Sequence, residues 1–155
     1  MTAEDTIINE LTKKFSFLEN RIIPQRARRI TADVDMQNLG GVLQFAVDML
    51  GFSILCTITG LDEGNTFGLI YHVGRQDGIV LNLKTHISKE NPKISTITSS
   101  FPQADIYERE IADLLGIKIE GLAEGKRYPL PDDWPADEFP LRKDWKAKKG
   151  DIKDA

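Results

Sequence analysis

Apolar residues recur along this chain in two rhythms, one near 3.6 and one of two, and the switches between them predict its elements. Ile7, Leu11, Phe15 and Leu18 step by four, four and three, which predicts a helix over residues 3–19 with that stripe buried. Residues 21–29 read as a basic connector broken by Pro24. Ile30, Ala32 and Val34 then alternate with Arg29, Thr31 and Asp33, the mark of a half-buried strand. Helical spacing returns with Met36, Leu39, Leu43, Ala46, Val47 and Leu50, between Asp35 as N-cap and Gly51 as stop. Gly40 and Gly41 would each cost that helix about 1 kcal/mol relative to Ala. Close packing on the sheet is the expected reason for both.

Three strands are predicted over 52–60, 66–74 and 79–88. A three-residue turn, Gln76-Asp77-Gly78 with Gly78 left-handed, pairs Phe67, Leu69, Tyr71 and Val73 with Ile87, Thr85, Leu83 and Leu81. A two-residue loop would instead mix those apolar residues with Asn82, Lys84 and His86. After Asn91-Pro92 a helical turn near 95–101 leads into a charged helix over 107–116. Asp105 and Glu108 have capping-box spacing at its start, and Tyr107, Ile111, Leu114 and Leu115 form its buried stripe. The sum is an α+β fold of two layers, a mixed or antiparallel sheet with helices packed on one face.

The last segment breaks both rhythms. Pro129, Pro131, Pro135 and Pro140 each lack a backbone donor, so it can continue neither a helix nor a central strand. Tyr128, Leu130, Trp134, Phe139, Leu141 and Trp145 sit between and beside them. The expected organisation is a core domain over 1–120 and an extended proline-rich arm over 121–155 that buries its aromatic residues on a partner.

Composition narrows the function classes. A net charge of −4 and a pI near 5.2 argue against general affinity for nucleic acid or anionic lipid. The single cysteine, Cys56, excludes an internal disulfide and, inside a strand, reads as a small buried hydrophobe. No apolar run reaches the roughly 18–20 residues that span a bilayer, and the acidic start lacks a signal pattern. A soluble cytoplasmic protein is the expectation.

No reaction centre emerges from the residues. Glu108 and Glu110 resemble a carboxylate pair, but residues two apart on a helix point about 200° apart and cannot converge on one atom. Arg109 is spaced for ion pairs with Asp105 and Asp113. His72 and His86 fall on one sheet face four positions apart, roughly 13 Å at the usual strand rise, too far to share a metal. Zinc, iron–sulfur, phosphate-loop and nucleophile motifs are absent. The basic residues from Arg142 onward, diluted by Asp144, Asp151 and Asp154, read as a solvated terminus. A free-standing hydrolase using the helix carboxylates and a small nucleic-acid module are the readings outside this picture.

Several motifs together resemble one family. They are Glu108-Arg109-Glu110, Asp113-Leu114-Leu115-Gly116-Ile117, Leu130-Pro131-Asp132-Asp133-Trp134 and Pro140-Leu141-Arg142-Lys143-Asp144-Trp145. This set is similar to the thirty-kilodalton subunit of respiratory NADH:quinone oxidoreductase (complex I), and to the related subunits of membrane-bound, energy-converting nickel–iron hydrogenases. Weaker likeness at Thr59-Gly60-Leu61-Asp62, Ile70-Tyr71-His72 and Ser95-Thr96-Ile97 extends over most of the domain. Respiratory members typically carry Gly-His-Pro-Asp-Leu and two basic residues where this chain has Gly121-Leu122-Ala123-Glu124-Gly125-Lys126-Arg127. The missing His-Pro inclines the resemblance to the hydrogenase branch. It implies an accessory subunit with no catalytic centre and no cofactor of its own, peripheral on the cytoplasmic side of the membrane. The nickel–iron site and iron–sulfur clusters would lie in partners, a large catalytic subunit and an iron–sulfur small subunit. Trp134, Phe139 and Trp145 would anchor the arm, with Arg142 and Lys143 meeting acidic groups or carbonyls of the large subunit.

Overall fold

A computed structural model describes residues 1–147. Its elements run α1 (Ala3–Lys14), β1 (Ile22–Arg26), β2 (Arg29–Asp33), α2 (Met36–Leu50), β3 (Ile54–Asp62), β4 (Thr66–Gly74), β5 (Val80–Ser88), β6 (Lys93–Ser95), α3 (Ala104–Leu115) and β7 (Lys118–Glu120). The five longer strands form one mixed sheet in the order β1-β2-β5-β4-β3, antiparallel except between β2 and β5. β6 and β7 make a separate parallel pair. This is the expected α+β architecture.

The core lies between one sheet face and the helices. Ile30, Leu69, Tyr71, Leu81 and Leu83 on the strands are buried with Ile7, Leu11, Val42 and Leu43 on the helices. The β4–β5 register is the one that the apolar pattern requires, with Phe67 opposite Ile87 and Tyr71 opposite Leu83, and Gly78 turns the hairpin at φ +84°. The opposite face carries a polar row across four strands. His72 lies between Thr59 Oγ1 at 2.9 Å and Asn82 Oδ1 at 2.7 Å, and Asn82 Nδ2 in turn donates to Thr31 Oγ1 at 3.5 Å. His86, four positions away, faces Glu63 and Asp33 instead.

Several local expectations need correction. The first helix stops at Lys14, where Phe15 leaves helical backbone at φ −125°, and a single 3-10 turn (Ser16–Leu18) still buries Leu18. The basic connector is an edge strand, β1, where Pro24 is tolerated because an edge has one unpaired side. Asp35 occupies the N-cap position of α2 without capping it; its carboxylate meets Arg21 at 3.1 Å. A Cβ on Gly40 or Gly41 would meet nothing within 4 Å, so neither glycine serves close packing on the sheet. Cys56 is exposed, because the β3–β4 register slips between Leu55 and Thr57.

The arm is irregular, as its prolines demand, but it is not extended. Residues 121–147 lie back along α3 and the end of β3, held by the bonds described next. Lys148, Lys149 and Lys153 of the basic tail lie outside the described residues.

Candidate functional site

The motif residues converge on α3, and its charged side chains meet different surroundings. The helix begins at Ala104 with Gln103 as N-cap, so the expected Asp105–Glu108 capping box does not form. Glu108 turns inward, 1% exposed, and accepts from Thr96 Oγ1 at 2.6 Å and from the Ile97 N–H at 2.7 Å. Burial is the largest influence on its carboxyl and raises its pKa against those two hydrogen bonds. The buried Tyr71 phenol is likewise pushed up, first by burial and then by the Glu108 charge. Glu108 therefore ties α3 to the β6 connection and presents nothing to a substrate.

Arg109 forms the expected pair with Asp105, bidentate at 2.9 and 2.8 Å, and its third bond goes to the Ala123 carbonyl at 2.7 Å. The expected Arg109–Asp113 pair is absent. Asp113, 8% exposed, accepts two bonds from the Arg127 guanidinium at 2.9 and 2.6 Å and the Leu130 N–H at 2.8 Å. Arg127 continues to the Trp134 carbonyl at 2.7 Å. A carboxylate buried between a helix and a returning segment needs partners of this kind, since an unpaired ion would cost several kcal/mol.

A second latch closes the helix end. Gly116, at φ +70°, ends α3 and leaves carbonyls free of intrahelical partners. Arg142 Nε donates to the Leu115 carbonyl at 2.7 Å, and the Leu141 N–H donates to Leu114 O at 3.1 Å. The Arg142 guanidinium lies 4.5 Å from the Phe139 ring centroid and 5.2 Å from that of Phe67. A Cβ on Gly116 would stand 2.6 Å from Arg142 Nη2, so glycine meets both the backbone and the packing requirement.

Asp62 supplies the third latch. Its side chain is 2% exposed and accepts from Lys89 Nζ at 2.6 Å, the Lys143 N–H at 2.8 Å and the Gly64 N–H at 2.9 Å. Burial, the largest single influence, would raise its pKa; these bonds together outweigh it and hold the carboxyl at about 2.

What the folded-back segment presents is aromatic. Trp134 and Trp145 lie 6.0 Å apart at a tilt of 37°, both half-buried, with their indole N–H groups donating to Glu138 O and Oε2. Pro140 is half-buried, whereas Leu141, Lys143 and Asp144 are exposed. Glu110 lies half-buried beside Leu114, Leu141 and the residues of β3 from Thr57 to Gly60, with no hydrogen bond or ion pair among the described residues. Sequence reasoning picked out most of this set but missed Asp62 and the Arg127–Asp113 pairing. The Asp-Glu-Gly run that ends β3 was the signal that could have found the first; nothing local marked the second, because Asp113 lies off the apolar stripe of α3 and is buried only by the returning segment. Among the described residues no group of three or more His, Cys, Asp or Glu could hold a metal ion, and no helix is long and apolar enough to cross a membrane.

Comparison with known proteins gives this arrangement a family. The C-subunit of the F(420)H(2) dehydrogenase of Methanosarcina mazei is 34% identical over 145 residues, 92% of this chain and 91% of that protein. The C-subunit of the NADH-quinone oxidoreductase of Moorella thermoacetica is 30% identical over 148 residues, 93% and 96% of the two chains. The membrane-bound hydrogenase subunit beta of Pyrococcus furiosus is 33% identical over 90 residues, but these are only 56% of this chain and 52% of that one. A chain of the membrane-bound sulfane sulfur reductase, an archaeal respiratory membrane complex, shares the fold with a TM-score of 0.83 over 92% of this chain and 85% of its own, at 24% identity. Residues 32–151 match the model of the respiratory-chain NADH dehydrogenase, 30 Kd subunit, and the chain belongs to that family.

Proposed function

We propose that this chain is a non-catalytic docking subunit of a membrane-associated, complex I-like oxidoreductase, bracing a larger catalytic subunit in the part of the complex outside the bilayer. The observation that carries this reading is the pinned aromatic segment. Three buried or half-buried polar latches, centred on Asp113, Arg142 and Asp62, fix residues 121–147 against the core while leaving Trp134, Leu141 and Trp145 partly or wholly open. Ordering the segment before association lowers the entropy cost of binding, and tryptophan is one of the side chains enriched among interface anchors. Nickel–iron and iron–sulfur centres would belong to the large and small partner subunits, and the attachment to the cytoplasmic side of the membrane would run through them.

The end-to-end similarity to subunits of F(420)H(2) dehydrogenase and NADH-quinone oxidoreductase favours a dehydrogenase-type complex. The energy-converting nickel–iron hydrogenase is the second reading. It rests on the stretch Gly121–Arg127, which lacks the His-Pro of respiratory members, and on the partial match to a hydrogenase beta subunit. Affinity purification of the tagged chain from native membranes tests the docking role and separates the two. Flavin- or donor-binding subunits among the partners indicate the first, and a nickel–iron large subunit with no donor-binding subunit indicates the second. Replacing both Trp134 and Trp145 by Ala should cut recovery of the large subunit at least tenfold, as expected where each anchor contributes about 2 kcal/mol. Undiminished recovery would remove the aromatic surface from the interface.

A further inference from the structure

The strand β3 is the open edge of the five-stranded sheet, guarded only by the register slip between Leu55 and Thr57 and by the Lys143 contact at its last residue, which leave Thr57 to Leu61 between them. It is nine residues long, Ile54–Asp62, and it pairs only with β4. Proteins normally guard such an edge with a proline, a lysine, a very short strand or a covering element, because its outward N–H and C=O groups pair readily with another chain. The other edge, β1, follows that practice with five residues and Pro24. β3 contains neither proline nor lysine, and Ile54 and Leu61 are 40% and 37% exposed at its two ends. Tyr107 Oη reaches one of its carbonyls, that of Cys56, at 3.3 Å.

Beside this edge runs a groove of about 250 Å³. Four consecutive residues, Thr57 to Gly60, form one wall, and Glu110, Leu114 and Leu141 form the other. A run of consecutive strand residues along a groove offers backbone as well as side chains. Gly60 is held as glycine by its neighbour, since a Cβ there would stand 2.6 Å from Leu115 Cδ1. Glu110 is the single charged residue of the groove and makes no ion pair among the described residues. It contrasts with Asp105 and Asp113 on the same helix, each of which pairs with arginine.

The geometry points to strand addition: an extended segment of a partner polypeptide pairs with β3 as a sixth strand and places a lysine or arginine against Glu110. This deepens the docking function proposed above and rests on it. Outward-facing amides, found at every second residue of an edge strand, supply the pairing, while Leu114 and Leu141 cover an apolar side chain of the incoming segment. Glu110 adds discrimination, because an acidic residue in the same place would meet a like charge.

Hydrogen–deuterium exchange tests this, comparing the isolated full chain with the chain inside its native complex purified from membranes. Alternate amides between residues 54 and 62 should exchange at least tenfold more slowly in the complex. Glu110→Lys should reduce incorporation into the complex at least tenfold, and Glu110→Gln should reduce it less. Co-purification with unchanged β3 exchange overturns strand addition and leaves the docking function standing. Failure to co-purify with any partner overturns both. Protection of the same amides in the isolated chain, rising with its concentration, would show a second copy on the edge and overturn the partner assignment. Protection without any effect of Glu110→Lys overturns the basic side chain as its occupant.

Discussion

Glu108 shows how far a residue's neighbourhood can depart from its local pattern. Two helix positions from Glu110, it is almost wholly enclosed, while Glu110 remains open to the groove. Its function is to accept the Ile97 N–H and the Thr96 hydroxyl, so its removal has a definite cost. Glu108→Ala should destabilise the chain by about 1–3 kcal/mol, because a buried backbone donor is left unsatisfied. Denaturant unfolding measures this. Glu108→Gln keeps one oxygen for the Ile97 N–H, and the Thr96 hydroxyl can rotate to accept from the amide, so a smaller loss is expected. The variant also carries a pH signature. A carboxyl whose folded pKa is raised makes the native state lose stability as pH climbs from its unfolded value through the folded one. In Glu108→Gln that decline should vanish. A wild-type and variant pair with parallel stability profiles above pH 4.5 would contradict the burial argument.

At the scale of elements, the last segment differs most from its expected form. Prolines set its irregular backbone, but three polar contacts decide where it lies. Asp113→Ala should release the middle of that segment, since the Arg127 guanidinium and the Leu130 N–H lose one acceptor together. Hydrogen bonds to charged groups of this kind contribute about 1.5–3 kcal/mol each as measured by deletion. Limited proteolysis should then cut between residues 121 and 134 much faster, with the sheet intact by circular dichroism. Equal cleavage rates would show that the latch adds nothing. The helix itself was legible because Tyr107, Ile111 and Leu115 repeat at its period and Gly116 stops it. The latch was not, because Asp113 and Arg127 are fourteen positions apart and no periodicity links them. β6 and β7 were missed for a related reason: three-residue strands are too short to display alternation, and they exist only because they pair with each other.

For the whole molecule, Asp62 joins the end of β3 to Lys89 beyond β5 and to Lys143 near the last described residues. Its folded pKa, about 2, lies below the ordinary 3.8, so the stability it lends is present above 3.8 and is lost as pH falls towards 2. Acid titration followed by tryptophan fluorescence should show the 134–145 region loosening in that window, ahead of the sheet. Asp62→Asn should already be loosened at neutral pH and lack the transition. Simultaneous loss of fluorescence and sheet signal would place the acid-sensitive contact elsewhere. Truncation before Tyr128 is a complementary test. The remaining chain keeps the buried residues of the sheet and all three helices and should still fold cooperatively, while recovery of a partner subunit is lost.

Short-range regularities were enough to determine the α+β class, the β4–β5 register, the left-handed Gly78 and the stop at Gly116. Each depends on periodicity or on a backbone preference confined to a few neighbouring residues. The motifs also identified the family, because they recur as strings. Tertiary structure alone decided that Glu108 is buried while Glu110 is open, that Cys56 faces solvent, that Gly40 and Gly41 face nothing, and that the proline-rich segment folds back. The burial of Glu108 and the folding back of the segment depend on charges and carbonyls far apart in sequence meeting across a packed surface, where the cost of leaving an ion or a backbone group unpaired selects the partner. The surroundings of Cys56, Gly40 and Gly41 depend on strand register and packing that no local pattern encodes.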